Sequence, residues 1–177
     1  ILYRQGLKAS HYTIFQNNDD RVEFIKNKLI KEEKTLLVNG SGVNMEYFKK
    51  EPLPERITFF MLARALKSKG VIEYLEAASK LKKKYSEVRF MYLGGIENMQ
   101  DSITYEEIKP YIVQGIEYFG ETFDVRPYYK QSSVFVLPSY REGTPRSVLE
   151  AMSIGRAIIT TDAPGCKETV KDQITGY

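Results

Sequence analysis

Residues 137–168, LPSYREGTPRSVLEAMSIGRAIITTDAPGCKE, decide how this chain is read. An apolar run over 134–137 stops at Pro138, and a polar loop containing Gly143 follows. A helix-forming segment then leads into a β-branched run over 157–161. The order is strand, loop, helix, strand, loop. Thr144 and Pro145 predict the helix start, because a threonine hydroxyl can cap free amides and proline has no N–H to lose in the first turn. Leu149, Met152 and Ser153 are the expected packing face, and Gly155 is the expected stop. In an open α/β sheet, ligands bind where a strand's carboxyl end leads into a helix N-terminus, since bare amides there attract anions such as phosphate. Glu142 sits in this loop and Glu150 in the helix.

Outward from this stretch the same alternation continues. Strands are predicted over 57–63, 88–93 and 116–119, with helices over 69–85, 104–113 and 125–131. Strands alternating with helices at such spacing imply a parallel, doubly wound sheet of the Rossmann-like α/β class. Before it, residues 49–56 read as a linker, because Pro52 and Pro54 favour an extended connection. Residues 1–48 carry the end of a helix over 1–10, a strand over 12–15 and a strand over 35–38. Between those strands a helix capped by Asp19 or Asp20 is predicted to run to about Leu29, with Val22, Phe24, Ile25 and Leu29 as its apolar set. Two strands and two helical pieces are too little for an independent core. Their apolar residues, Ile14, Phe15, Phe24 and Leu37 among them, must pack on the second unit, pack on another copy of the chain, or stay mobile.

Composition narrows the function classes. With 177 residues, 42% hydrophobic and 28% charged, the chain supports one full core and a fragment of a second. A net charge of +3 without a basic stripe interleaved with aromatics argues against nucleic acid. One cysteine excludes an internal disulfide and fits a reducing cytoplasm. No run of eighteen apolar residues predicts a membrane span. No repeat or low-complexity segment is found, and the chain starts and stops in mid-pattern, as an excised domain does.

Glu142 and Glu150, with seven residues between them, resemble the E-x7-E motif of retaining GT-B glycosyltransferases of family 4. PSYREGTPRSVLEAM is similar to that family's PS..EG.P.S.LEAMA block, and TTDAPGCKE to its T.D.PG..E block. The resemblance extends upstream. FQN at 15–17, GSGVN at 40–44 and Phe48 look like the last elements of the family's N-terminal acceptor domain. It implies that 1–48 is a remnant of that domain, and that 57–177 is the nucleotide-sugar-binding domain, cut short at its C-terminus. Arg64 and Lys69 match the family's Arg and Lys that grip the donor diphosphate, with Ala63 in place of the usual Gly. Two cations at a strand's carboxyl end suit a pyrophosphate and the charge that develops as it leaves. By the same resemblance Glu142 holds donor-sugar hydroxyls and Glu150 the ribose diol. The amides around Gly143, Thr144, Arg146 and Ser147 then meet the phosphates. Taken singly, all of these read as solvated loop or helix-surface charges.

Other residues carry less. The two carboxylates do not read as a glycosidase pair, which would flank a scissile bond. No D-x-D run is present and the acids that could space as ligands are isolated, while the resemblance implies a donor bound without metal, so no metal or other cofactor is expected. His11 reads as a structural residue at a strand start and Cys166 as a small packed thiol. Lys80, Lys82, Lys83 and Lys84 complement a helix C-terminus, or touch an anionic membrane surface. SYREGTPRS with Val125-Arg126-Pro127 upstream looks most like bacterial enzymes of capsule, O-antigen and glycan assembly. The resemblance therefore implies sugar transfer from a nucleoside diphosphate, UDP preferred, to a glycan or lipid-linked acceptor. It would take place in the cytoplasm or at the inner face of the membrane. Two alternatives remain: an epimerase or phosphorylase of the same architecture, and a module that binds nucleotide sugar without transfer. The fragment alone is expected to self-associate and to transfer nothing.

Overall fold

The computed structural model describes residues 2–177, with side chains from Arg4 onward. The N-terminal segment forms α1 (Leu2–Ala9), β1 (Thr13–Phe15), α2 (Asn18–Lys26) and β2 (Thr35–Leu37). The strands β1 and β2 pair in parallel, with Ile14 opposite Leu36. Residues 49–57 contain no helix or strand. The chain then alternates through β3 (Thr58–Leu62), α3 (Val71–Lys84), β4 (Arg89–Leu93), α4 (Tyr105–Val113) and β5 (Glu117–Tyr118). It continues through α5 (Arg126–Lys130), β6 (Val134–Leu137), α6 (Arg146–Ile154) and β7 (Ala157–Thr160).

These later strands make one parallel five-stranded sheet in the order β5-β4-β3-β6-β7. The chain builds outward from β3 on one side, then crosses over to add β6 and β7 on the other. This reversal puts α3 and α4 together in one layer and α5 and α6 together in another, so the doubly wound architecture expected from the alternation is what forms. Central strands covered on both faces must be apolar throughout. Phe60 and Met61 of β3, Tyr92 of β4 and Phe135 of β6 are accordingly fully buried. Phe60 faces Tyr129 edge-on at 5.3 Å and Phe135 at 5.8 Å. Phe48, 4% exposed, reaches in from the end of the N-terminal segment and sets its edge against Tyr129. Burying such a ring contributes on the order of 2–3 kcal/mol, which ties the segment to the larger core.

Residues 48–52 are held by the C-terminal end of α6 and the residues just after it. Arg156, 4% exposed, donates to the carbonyls of Glu51 and Pro52 at 3.0–3.1 Å. Ser153 Oγ donates to the Phe48 carbonyl at 2.6 Å, and the Glu51 amide to the Ile154 carbonyl at 3.1 Å.

Several local expectations need correction. Pro145 is the residue preceding α6, and no side chain caps that helix. Thr144 is engaged elsewhere: its hydroxyl donates to the Gln16 carbonyl and its amide to Gln16 Oε1, both at 3.1 Å. The packing face of α6 is Val148, Ala151 and Ile154, at a spacing of three; Met152 is exposed and the Ser153 hydroxyl bonds the Phe48 carbonyl. Gly155 does stop the helix, in the left-handed conformation at φ 87°. The cap of α2 is Asn17, whose side chain accepts from the Asp20 amide. That helix ends at Lys26, ahead of a left-handed Lys28, and buries none of its residues fully. Lys82 is not part of a free basic cluster, because it donates to the Ser86 and Val88 carbonyls at 2.8 Å each.

Candidate donor-binding edge of the sheet

In a parallel sheet every strand delivers its next loop to the same edge. Here β3 leads to Arg64 and Lys69, β4 to Gly94-Gly95, β6 to Glu142, and β7 to residues 161–166. β3 and β6 are neighbours whose connections depart in opposite directions, and a crevice opens at such a reversal. Both sides of that crevice carry charge from residues that the sequence singled out.

The two sides meet in one ion pair. Lys69 Nζ lies 2.6 Å from Glu142 Oε1, with both side chains mostly shielded from water. Lys69 ends a short 3-10 turn, Lys67–Lys69, and Gly70 follows at φ 70°. A Cβ on Gly70 would lie 2.1 Å from the Pro138 carbonyl oxygen, so glycine is required twice over: for its conformation and for the approach of the β3 and β6 loops. Arg64 is exposed and pairs with Glu97 in the loop after β4, at 3.2 Å. Asp101 from the same loop accepts from the Ser68 amide and hydroxyl, which holds its carboxyl below the usual range.

Glu150 faces inward from α6 and is 8% exposed. Tyr129 donates to its Oε2 at 3.2 Å, and Arg146 Nε to its Oε1 at 3.1 Å. Burial raises its pKa above the ordinary carboxyl value, against the pull of Tyr129 and Arg146. Tyr129 is pushed well up in turn, by burial and then by the neighbouring carboxylate. Arg146 is itself exposed and lies over Glu150 as a cover. Among the described residues, the amides of Gly143, Arg146 and Ser147 make no hydrogen bond, while that of Thr144 is taken by Gln16. The structure therefore brings Lys69 and Glu142 into contact and sets Arg146 on Glu150. Arg64 stands on Glu97, and Thr144 turns toward the N-terminal segment.

The sequence reading missed the groups that support this edge. Gln16, Asn17 and Tyr129 hold the site residues directly, and Gly165 backs the Glu142 loop at φ 83°. Gln16 and Asn17 stood inside the quoted FQN, which was the available signal. Cys166 is fully buried, and burial raises its thiol pKa. His11 is exposed. Among the described residues no group of three acidic, histidine or cysteine side chains is placed to hold a metal ion, and no helix is long and apolar enough to cross a membrane.

Comparison with known proteins places this edge in context. The profile of the family described as "Glycosyl transferases group 1" matches residues 43–177. The N,N'-diacetylbacillosaminyl-diphospho-undecaprenol alpha-1,3-N-acetylgalactosaminyltransferase of Campylobacter jejuni is 33% identical over 99% of this chain and 48% of its own length. The UDP-Gal:alpha-D-GlcNAc-diphosphoundecaprenol alpha-1,3-galactosyltransferase of Escherichia coli is 28% identical over 96% of this chain and 47% of its own. The chain thus spans about half the length of these curated relatives. In fold it is similar to a glycosyltransferase crystal structure from Rickettsia africae, with a TM-score of 0.80 at 22% identity over 99% of this chain and 52% of that one. Anabaena HepE, solved with UDP, superposes with a TM-score of 0.80 at 16% identity over 97% of this chain and 50% of that one. The parallel sheet is the GT-B arrangement of those structures, and the chain belongs to the glycosyl transferases group 1 family.

Proposed function

We propose that this chain is the donor-binding part of a retaining glycosyltransferase of bacterial polysaccharide or glycan assembly, and that its donor is a UDP-sugar. The observation that carries the reading is the Lys69–Glu142 pair, set where the sheet order reverses and beside unpaired amides at the start of α6. A sugar nucleotide has a diphosphate next to a hydroxylated ring, and this edge offers a cation next to a carboxylate. Lys69 and Arg64 take the diphosphate and neutralise the charge that grows on it as the glycosidic bond to phosphate breaks. These two side-chain cations do that work in place of a metal. Glu142, released by Lys69, accepts hydrogen bonds from sugar hydroxyls. Glu150 accepts from the ribose diol once Arg146 swings outward, and the amides of Gly143, Arg146 and Ser147 meet phosphate oxygens.

Relatives named for diphospho-undecaprenol substrates support a lipid-linked acceptor bound outside residues 57–177, and hence work at the cytoplasmic face of a membrane. Lys80, Lys83 and Lys84, exposed on α3, are the candidate contact with that surface. UDP is favoured because the E. coli relative is named for UDP-Gal and a UDP complex is among the structural neighbours.

Calorimetric titration with UDP-, GDP- and ADP-sugars tests this reading. UDP-sugars are expected to bind most tightly. Arg64→Ala and Lys69→Ala are each expected to weaken them by roughly 1.5–3 kcal/mol, the scale of a charged hydrogen bond. Unchanged donor affinity in both variants removes the two cations from the site.

A further inference from the structure

We propose that Gln16 and Asn17, in the turn between β1 and α2, are positioning residues for the Glu142 loop. Donor recognition by the five-stranded sheet then depends on a segment outside that sheet. The proposal rests on the reading of this loop as part of the donor site.

The loop is gripped from the N-terminal side by two side chains. Asn17, 1% exposed, donates through Nδ2 to the carbonyls of Glu142 and Gly143, both at 3.1 Å. Gln16 accepts the Thr144 amide on Oε1 and the Thr144 hydroxyl on its backbone carbonyl. A Cβ on Gly143 would lie 2.6 Å from Gln16 Oε1, so the loop is glycine where the grip is closest. From the other side, the Glu142 amide donates to the Pro164 carbonyl at 2.9 Å. Gly165 packs so closely there that a Cβ would meet the Glu142 carbonyl oxygen at 2.1 Å. The peptide planes on both sides of Gly143 are thus held, which fixes where the Glu142 carboxylate stands against Lys69.

Around this grip lie ion pairs of Arg141 with Asp20 and Glu23, and of Lys167 with Asp19 at 2.6 Å. These side chains are a quarter to half exposed, and such pairs are screened and individually weak. The buried amide side chains set the geometry, because an unmade hydrogen bond there leaves a desolvated carbonyl or amide without a partner. A shift of about an ångström at a reacting centre is enough to lose orientation. Asn17 also caps α2 through Oδ1, which accepts from the Asp20 amide at 2.8 Å. Its Nδ2 also reaches Asp20 Oδ2 at 2.9 Å, but the cap itself is made by Oδ1, so the two roles can be separated. Serine keeps the cap but is too short to reach the loop. At position 16, glutamate keeps the acceptor and leucine removes it.

The test uses the full chain as wild type, Asn17→Ser, Gln16→Leu, Gln16→Glu and Arg141→Ala. Each is titrated with UDP and with UDP-N-acetylglucosamine, and amide hydrogen exchange is followed at Glu142 and Thr144. Asn17→Ser and Gln16→Leu are expected to weaken the UDP-sugar by about tenfold, the factor carried by one lost hydrogen bond, while UDP alone, which loses at most part of the Gly143 amide contact and keeps Arg64, Lys69 and the Arg146 and Ser147 amides, changes by less than about threefold. Exchange at Thr144 should rise by a similar factor in Gln16→Leu, and Gln16→Glu and Arg141→Ala should stay near wild type. A merely structural role would weaken UDP and UDP-sugar alike. That outcome, or unchanged affinity in both disrupting variants of a chain that binds donor, overturns the positioning role and leaves the donor reading standing. A wild-type chain that takes up no sugar nucleotide overturns the donor reading, and the proposed dependence with it.

Discussion

Glu150 shows what a buried carboxylate costs the fold. Its burial beside Tyr129 raises its pKa, so the folded state holds that proton more tightly than the unfolded chain does. Stability must then fall as pH rises from the ordinary carboxyl value through the raised folded one, because the folded chain binds more protons across that window. Glu150→Gln, which keeps an acceptor for Tyr129 and cannot ionise, is expected to be more stable than wild type at pH 7, with the gap closing below the ordinary carboxyl range. Urea unfolding at pH 7 and pH 4 measures both, and the same variant should bind UDP more weakly. Glu142 sits differently, since its carboxylate is the partner of the cation expected to meet the diphosphate. Glu142→Gln releases Lys69, so UDP should bind as well as before or slightly better, while the UDP-sugar weakens by about tenfold. Paired calorimetry of UDP and UDP-sugar decides this, and equal losses for both ligands would reverse the assignment of ends. Residue identities were legible in the sequence; partners were not. Asn17, Asp19 and Asp20 all have the chemistry of a helix cap, and only the extended backbone at Asn17 selects it.

At the scale of elements, periodicity located each strand and helix of the larger unit to within a few residues. The exceptions have tertiary causes. Thr144 reads locally as a cap for α6, but Gln16, far away in sequence, offers both an acceptor for its amide and one for its hydroxyl, and so wins the residue. The helix then begins uncapped, which leaves its first amides available. The expected helix start at Lys69 is instead the end of a 3-10 turn capped by Gly70, and that small difference aims Lys69 across at Glu142. Gly70 is therefore the joint between the two loops of the site. Gly70→Ala must adopt a left-handed backbone and push its Cβ against the Pro138 carbonyl. The conformational strain alone costs about 1 kcal/mol, and the clash adds to it, so a loss of roughly 2 kcal/mol or more is expected in urea unfolding. Nucleotide affinity should fall with it, since Lys69 rides on the same turn.

For the whole molecule, the alternation of elements implied a doubly wound sheet, but strand order is invisible to local pattern. It is the crossing from β5 back to β6 that sets Glu142 beside Lys69. The sequence left open whether the N-terminal segment would pack on the larger unit, pack on another copy or move freely. The structure packs one side of it, through Phe48 in the core and Asn17 on the Glu142 loop. The other side stays apolar and open. Ile14 and Leu36 stand opposite each other in the β1–β2 register and are 63% and 47% exposed, with Leu37 and Val38 beyond them. A two-stranded sheet with unpaired edges is marginal by itself and invites another strand. Residues 1–177 in isolation are therefore expected to associate in a concentration-dependent way. Sedimentation velocity should show this, and Ile14→Lys or Leu36→Lys should reduce it without lowering the melting temperature, because both side chains already face water. Neither substitution touches the donor edge, so UDP titration of the variants should match that of wild type. Species that stay monomeric at every concentration would show that the open face does not recruit a second copy. Association undiminished by either lysine would place the contact elsewhere on the molecule.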